Sequence, residues 1–307
     1  MPWVREHAET FQAVTLGKLR QSFTTRQDFA SKIPERVMNM YEAGEFRRII
    51  YRDEPTVIRL GDGGIVGYRV PATLVSEGLQ HAKNLESWVA EFGHRLPSTK
   101  DAKRGVLCVR KYARWVKFNK GGELRMSGDF RQDKEVALEF MNRSRLLWDK
   151  AKTWFPNHHC ARVFRDLTQF DLDVKQDRMC GLWPGCAVNV ALEGRPVQTS
   201  PHRDLSGFMH GMSCLSTFGS FTGGDVILWE LQAVLELRRG DLFFFTDHLL
   251  NHSNTAAAGS RNSVVAFMED RTWGWIQREF GFADLRRQPM LDRRKRYKRR
   301  GKEQRNH

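Results

Sequence analysis

The sequence has few cysteines and no long apolar run, and each of these two features excludes certain classes of protein. Five cysteines are scattered along the chain without a C-x-x-C pair, and their odd number leaves at least one thiol unpaired. This pattern is typical of a reducing compartment. The N-terminus is charged at once, and no stretch of about 18 apolar residues occurs, which argues against a signal peptide and against a membrane-spanning helix.

The chain is nevertheless rich in residues that need a core. Hydrophobic residues make up 40% of its 307 residues, with 20 Phe and 9 Trp among them. Such a composition excludes disorder throughout the chain. The length allows one or two domains of roughly 150 residues each.

Positive charge is concentrated at the C-terminal end. Residues 286–307 contain eleven basic and two acidic residues, and thus carry +9 of the formal net charge of +14. Such a segment is typical of a disordered, solvated arm, of a nuclear import signal and of nonspecific phosphate binding. The sequence therefore predicts a basic disordered tail, a nuclear or otherwise cytoplasmic location, and a polyanionic partner.

Periodicity and glycine spacing predict a mixed fold. Apolar residues recur at helical spacing in 133–155, and a β-hairpin with a glycine-rich turn is predicted over 56–70. Further helices are predicted at 35–43 and 161–170, and short strands at 186–192, 224–229, 233–237, 241–245 and 263–267. Short strands at intervals of about ten residues favour a β-sandwich or β-barrel.

Three residues of this strand-rich part have the chemistry of a metal site. In an extended segment, His202 and Asp204 point to the same side, and His252 follows an apolar strand. Two histidines and one carboxylate with open coordination positions are typical of non-haem Fe(II) oxygenases, whereas zinc favours a tetrahedral site. A single His-x-Asp triplet is weak evidence, because a histidine in a turn is the commoner alternative.

Arg261 and Ser263 strengthen the metal interpretation. They follow His252 at the start of the next predicted strand. A guanidinium and a hydroxyl at this position can hold a carboxylate by hydrogen bonds, which suits a dicarboxylate cosubstrate.

The order of these parts resembles the Fe(II)/2-oxoglutarate dioxygenase superfamily, and more closely its fungal branch grouped with the TET/JBP nucleic-acid oxygenases. The resemblance covers roughly residues 180 to 280 and includes His202-x-Asp204, Gly223-Gly224, Gly240-Asp241, His252 and Arg261-x-Ser263. It implies an α+β fold in which N-terminal helices cover a double-stranded β-helix, or jelly roll. The implied domains are an N-terminal α/β extension over 1–100 that packs on the core, a dioxygenase domain over 101–285, and the tail over 286–307.

The resemblance also implies roles for individual residues. His202, Asp204 and His252 would ligate Fe(II), and Arg261 with Ser263 would bind 2-oxoglutarate, which is consumed with O2 to give succinate and CO2. Asn189 matches a position of cosubstrate contact, although a buried Asn that satisfies backbone groups is an equal alternative. The cysteine-rich region of animal TET enzymes is absent from the sequence.

The implied substrate is a methylated base in DNA, either 5-methylcytosine or N6-methyladenine. Basic residues interleaved with aromatics at 103–120 are candidates for phosphate contacts, namely Arg110, Lys111, Arg114 and Lys117. His210 is a candidate base contact. The alternatives are an element with one charged, solvated face and an exposed loop histidine. Two alternative functions remain, a protein side-chain hydroxylase or demethylase acting on chromatin and a catalytically inactive nucleic-acid-binding module.

Overall fold

The computed structural model describes residues 5–21, 33–96, 99–101, 105–116, 125–155, 179–191, 197–208, 211–272 and 274. The helix predicted at 161–170, the residues His210 and Lys117, and the basic tail lie outside these described residues.

The N-terminal half contributes both strands and helices. The strands are β1 (His7–Phe11), β2 (Arg47–Ile49), β3 (Thr56–Leu60), β4 (Ile65–Val70), β5 (Thr99–Asp101), β6 (Gly105–Trp115) and β7 (Arg125–Met126). The helices are α1 (Leu16–Gln21), α2 (Glu35–Glu42), α3 (Ala72–Val75), α4 (Gln80–Phe92), α5 (Gly128–Gln132) and α6 (Lys134–Trp154). The predicted hairpin and the predicted helices at 35–43 and 133–155 are confirmed.

The C-terminal half consists mainly of strands. They are β8 (Gly185–Val190), β9 (Ser213–Phe218), β10 (Phe221–Gly223), β11 (Val226–Leu228), β12 (Ala233–Leu235), β13 (Leu242–Phe245), β14 (His252–Asn254), β15 (Ala257–Gly259) and β16 (Asn262–Phe267). All five strands predicted in this half are present, with some ends shifted by one or two residues. Strands β9, β10, β14 and β15 were not predicted.

Two facing sheets form the core of the C-terminal half. Strands β13, β9, β16 and β8 are neighbours in the large sheet, and β14, β11 and β12 form the small sheet. The chain crosses repeatedly from one sheet to the other, and apolar side chains such as Phe243 and Phe245 of the large sheet pack with Val226 and Leu228 of the small sheet. This arrangement is a double-stranded β-helix, which confirms the predicted fold class.

Residues 1–100 complete both sheets. β4 pairs with β13, and β3 and β1 continue the large sheet beyond it, while β2 extends the small sheet by pairing with β12. Arg69 on β4 is fully buried, and its guanidinium donates to the carbonyl of Glu236 at 3.1 Å. Strands β1 to β4 are therefore joined to the C-terminal strands by sheet hydrogen bonds as well as by packing.

Alternation along the strands separates two faces of the large sheet. Side chains of one parity, including Val188, Phe244 and Val264, pack against the helices α4 and α6. The helices are fixed to each other by buried contacts, among them Trp88 against Phe140, with ring centroids 5.0 Å apart. Side chains of the other parity face the small sheet, and the cavity described below opens on this face.

No helix among the described residues combines the length and the apolar character needed to cross a bilayer.

Candidate metal centre and cosubstrate pocket

His202 and His252 are held side by side by backbone pairing. His252 begins β14, and the two residues form an isolated antiparallel bridge in which each backbone N–H donates to the other's carbonyl, at 3.0 and 2.8 Å. Their imidazole rings lie 4.3 Å apart between centroids. The bridge brings together two residues that are 50 positions apart in sequence.

Local hydrogen bonds fix which ring nitrogen of each histidine is available. Nδ1 of His202 lies 2.8 Å from the carbonyl of Ser200, and Nδ1 of His252 lies 3.0 Å from the carbonyl of Leu250. A carbonyl only accepts, so each Nδ1 carries the proton and each Nε2 keeps a lone pair for a metal. Such orienting bonds are the usual support of metal-bound imidazoles.

Asp204 completes the cluster. One ligand atom from each of His202, Asp204 and His252 lies within 4.8 Å of the other two. The backbone of Asp204 is fixed by donation to the carbonyl of Asp247 at 3.2 Å and by acceptance from the N–H of Gly207 at 2.7 Å. The donor set fits Fe(II), since two imidazoles and one carboxylate occupy three positions and leave the others for exogenous ligands.

His202, Asp204 and His252 line a cavity of about 140 Å³, and Arg261 lines the same cavity. This side chain is 3% exposed, and its Nε has no hydrogen-bond partner among the described residues. Burial lowers the pKa of Arg261 to about 10, and nearby Asp225 opposes this shift, so the guanidinium remains charged at neutral pH. A buried cation with an unsatisfied N–H next to a metal cluster fits the distal carboxylate of a dicarboxylate ligand.

Ser263 and Asn189 lie beside each other in the pocket. They are cross-strand partners on β16 and β8, and Nδ2 of Asn189 donates to Oγ of Ser263 at 3.1 Å. Both line the cavity that contains Arg261. The contact orients the serine hydroxyl, so Asn189 has a structural partner in the pocket as well as a position suited to a ligand.

Strand β16 and the residues that flank it supply a row of pocket residues, of which Arg261 and Ser263 were predicted and the other three were not. Arg261, Ser263, Val265, Phe267 and Glu269 alternate along the chain, and all five line the cavity. Phe267 pairs with Trp115 of β6, with ring centroids 6.4 Å apart. The period of two that begins at Arg261 is the signal that extends the site to Phe267 and Glu269.

The basic residues predicted to contact nucleic acid are separated by the alternation of β6. Lys111 lines the cavity together with Trp115. Arg110 points to the opposite face, is 7% exposed, and lies 3.4 Å from the carboxylate of Asp129. Arg114 is half-buried, and burial lowers its pKa. Of the three described residues, Lys111 is therefore the one that the fold brings to the metal centre.

Comparisons with known proteins gave matches among solved structures. No protein-family model and no curated protein matches the chain. NgTET1 in complex with 5mC DNA aligns at 16% identity and a TM-score of 0.47, covering 72% of this chain and 78% of that one. An oxidoreductase of the 2OG-Fe(II) oxygenase family from Burkholderia pseudomallei aligns at 15% identity and a TM-score of 0.38, covering 66% and 82%. A viral collagen prolyl hydroxylase from Paramecium Bursaria Chlorella virus-1 aligns at 9% identity and a TM-score of 0.33, covering 67% and 96%.

These TM-scores are all below 0.5. The assignment of residues therefore depends on the geometry of this chain, namely the His202, Asp204 and His252 cluster and the buried Arg261 that faces the same cavity.

Proposed function

We propose that the protein is an Fe(II)/2-oxoglutarate-dependent dioxygenase that oxidises methyl groups on nucleic-acid bases. The observation that carries this proposal is the opening of a two-histidine, one-carboxylate cluster and a buried, unsatisfied arginine into one cavity. Burial of a guanidinium is unfavourable unless negative charge lies near it; Asp225 supplies some, and a dicarboxylate ligand in the cavity would supply more.

Different residues of the cavity would bind the iron and the cosubstrate. His202 and His252 would bind Fe(II) through Nε2 and Asp204 through its carboxylate, while Arg261 and the hydroxyl of Ser263 would bind the distal carboxylate of 2-oxoglutarate. When bound, iron supplies the activation of O2 that converts the keto acid to succinate and CO2 and oxidises a substrate C–H bond. Phe245, whose ring lies 5.0 Å from that of His252, keeps one side of the centre apolar.

The wall of the cavity around Phe267 supports a nucleobase as substrate. Trp115 and Phe267 offer aromatic faces for stacking, as in other sites that bind extruded or single-stranded bases. The carboxylate of Glu269 lines the same region, and carboxylates accept hydrogen bonds from exocyclic amino groups. Both 5-methylcytosine and N6-methyladenine carry such an N–H.

A methylated lysine is the alternative substrate, because aromatic rings with nearby carboxylates also bind methylammonium groups. Lys111 lines the pocket as well, and its positive charge disfavours a cationic substrate while favouring a phosphate. The nucleobase is therefore the better match to the charge of this wall.

The enzyme proposal is tested by succinate release. Full-length protein with Fe(II), 2-oxoglutarate and methylated DNA should form succinate, while His202→Ala and Asp204→Ala should form none above background. A methylated histone peptide replaces the DNA in a parallel reaction. Equal succinate from wild type and both variants would support the inactive-module alternative, and stimulation by the peptide alone would assign the enzyme to protein substrates.

A further inference from the structure

Glu230 bonds to both segments that carry the metal-binding residues. It lies in a 3₁₀ turn, Trp229–Leu231, that directly follows β11. Its Oε2 accepts from the backbone N–H of Asn251 at 2.7 Å, and its Oε1 accepts from Nδ2 of the same residue at 2.7 Å. Oε1 also accepts from the guanidinium of Arg203.

The partners of Glu230 are direct neighbours of the metal-binding residues. Arg203 lies between His202 and Asp204, and Asn251 immediately precedes His252. One carboxylate therefore connects the first ligand segment to the second, in addition to the backbone bridge between His202 and His252.

The environment of this contact makes it rigid. The side chain of Arg203 is 4% exposed and that of Glu230 is 19% exposed. The turn itself is fixed to β14, because Trp229 donates from its backbone N–H to the carbonyl of Asn251 at 3.1 Å and from Nε1 to Oγ of Ser253 at 3.0 Å. Charge-assisted bonds in a buried setting restrict geometry more than exposed ion pairs do.

We infer that Glu230 is a positioning residue that sets the spacing of the two metal-binding segments and thereby the affinity of the site for its ion. Glu230 does not contact the metal; it acts on His202 and Asp204 through Arg203 and on His252 through Asn251. The inference rests on the proposed metal site. Partners that orient metal ligands in this way typically change metal affinity by about 10-fold to 100-fold when they are removed.

The chain offers a matched control in Glu86. This carboxylate also accepts from one arginine, Arg239, at 2.6 Å, and from one backbone N–H, that of Gly219, at 2.8 Å. Its side chain is 28% exposed, close to the value for Glu230. Glu86 is on α4, and its partner Gly219 directly follows β9. Glu86 is not among the described residues that line the metal cavity.

The test measures metal affinity rather than turnover. Full-length wild type, Glu230→Gln and Glu86→Gln are titrated with Co(II) by calorimetry, the visible spectrum of bound Co(II) is recorded, and thermal unfolding is followed without metal. Glu230→Gln should raise the Kd by about 10-fold or more and change the spectrum. Glu86→Gln should leave both unchanged even where it lowers the unfolding temperature.

A second variant covers the case in which Glu230→Gln does not fold. Asn251→Ala removes one of the three bonds and should give a Kd between those of wild type and a fully released site. Wild-type affinity and spectrum in Glu230→Gln, or in Asn251→Ala where only that variant folds, would overturn the inference. Failure of wild type to bind Co(II) would instead contradict the proposed function.

Discussion

Gly224 makes room for Arg261. Its φ of +75° is in the left-handed region, and a Cβ placed there would lie 2.3 Å from both Cδ and Nε of Arg261. A side chain at this position would therefore collide with the guanidinium that faces the cosubstrate cavity. The glycine pair in the sequence thus has a role in the pocket as well as in the turn.

We expect Gly224→Ala to raise the KM for 2-oxoglutarate by about 10-fold to 100-fold, which corresponds to the loss of a charged hydrogen bond of about 1.5 to 3 kcal/mol. Gly44→Ala is the matched control, because Gly44 has the same φ of +75° with nothing within 4 Å of its Cβ position. Both variants should lose stability from backbone strain. Equal KM values in steady-state succinate assays would contradict this role of Gly224.

Asp241 is a buried carboxyl that supports the turn before β13. It accepts from the backbone N–H groups of Ala72 and Arg238, both at 2.8 Å. Burial nevertheless raises its pKa to about 6. The folded chain therefore holds this proton more tightly than the unfolded chain does, and the associated stability is lost as pH rises from about 4 to about 6.

The measurement is urea unfolding of wild type and Asp241→Asn at pH 4 and pH 7. The free energy of unfolding of wild type relative to the variant should fall by up to about 3 kcal/mol over this range. The variant lacks this titration and provides the reference. A relative stability that rises with pH would mean that the hydrogen bonds outweigh burial and lower the pKa.

At the scale of elements, the sequence was most informative where one face of a strand or helix differs from the other. Helix α6 was predicted from such a pattern, whereas the hairpin of β3 and β4 was predicted from its glycine-rich turn. Strand β9 is buried at all six positions, because it lies between β13 and β16 with both faces covered, so it shows no alternation. Strand β13 is equally buried but was predicted from its run of Leu and Phe, whereas β9 was missed because three of its six residues are Ser or Thr.

The residues of the candidate site also fall into those that the sequence predicted and those that only the tertiary structure reveals. His202, Asp204, His252 and Arg261 were found from spacing, and the fold brings them to one cavity. Glu230 and Trp115 reach this region only through pairing between distant strands, and the register of β6 with β8 also brings Lys111, predicted as a phosphate contact, to the cavity. Contacts of that kind depend on tertiary structure and cannot be read from local spacing.

The strands of the N-terminal segment lead to a prediction about fragments. A fragment of residues 101–285 lacks β4, the partner of β13, and β2, the partner of β12. It would expose two sheet edges and part of the apolar core, so it should aggregate or unfold without cooperativity. Circular dichroism melts of this fragment and of 1–285 test the point. A cooperative transition for 101–285 would show that the core folds without its N-terminal strands.

In the whole molecule, most of the net positive charge and the residues of the candidate site lie in different parts of the sequence. The segment 286–307 carries +9 of the net charge of +14, and the cavity residues lie outside it. Deletion of 286–307 should weaken DNA binding and reduce its salt dependence, since fewer counterions are released, while turnover on saturating short DNA stays within about twofold. Fluorescence anisotropy at several salt concentrations measures this. An unchanged salt slope would remove the tail from the interface.

The proposed reaction is the oxidation of a methylated base in DNA. The most direct measurement incubates full-length protein with Fe(II), 2-oxoglutarate and duplex DNA containing 5-methylcytosine or N6-methyladenine, digests the DNA to nucleosides, and quantifies the products by mass spectrometry. Wild type should lose one methylated nucleoside and gain its oxidised or demethylated product, and Arg261→Met should change neither. Intact methylated nucleosides under conditions in which the enzyme turns over on a protein substrate would contradict it.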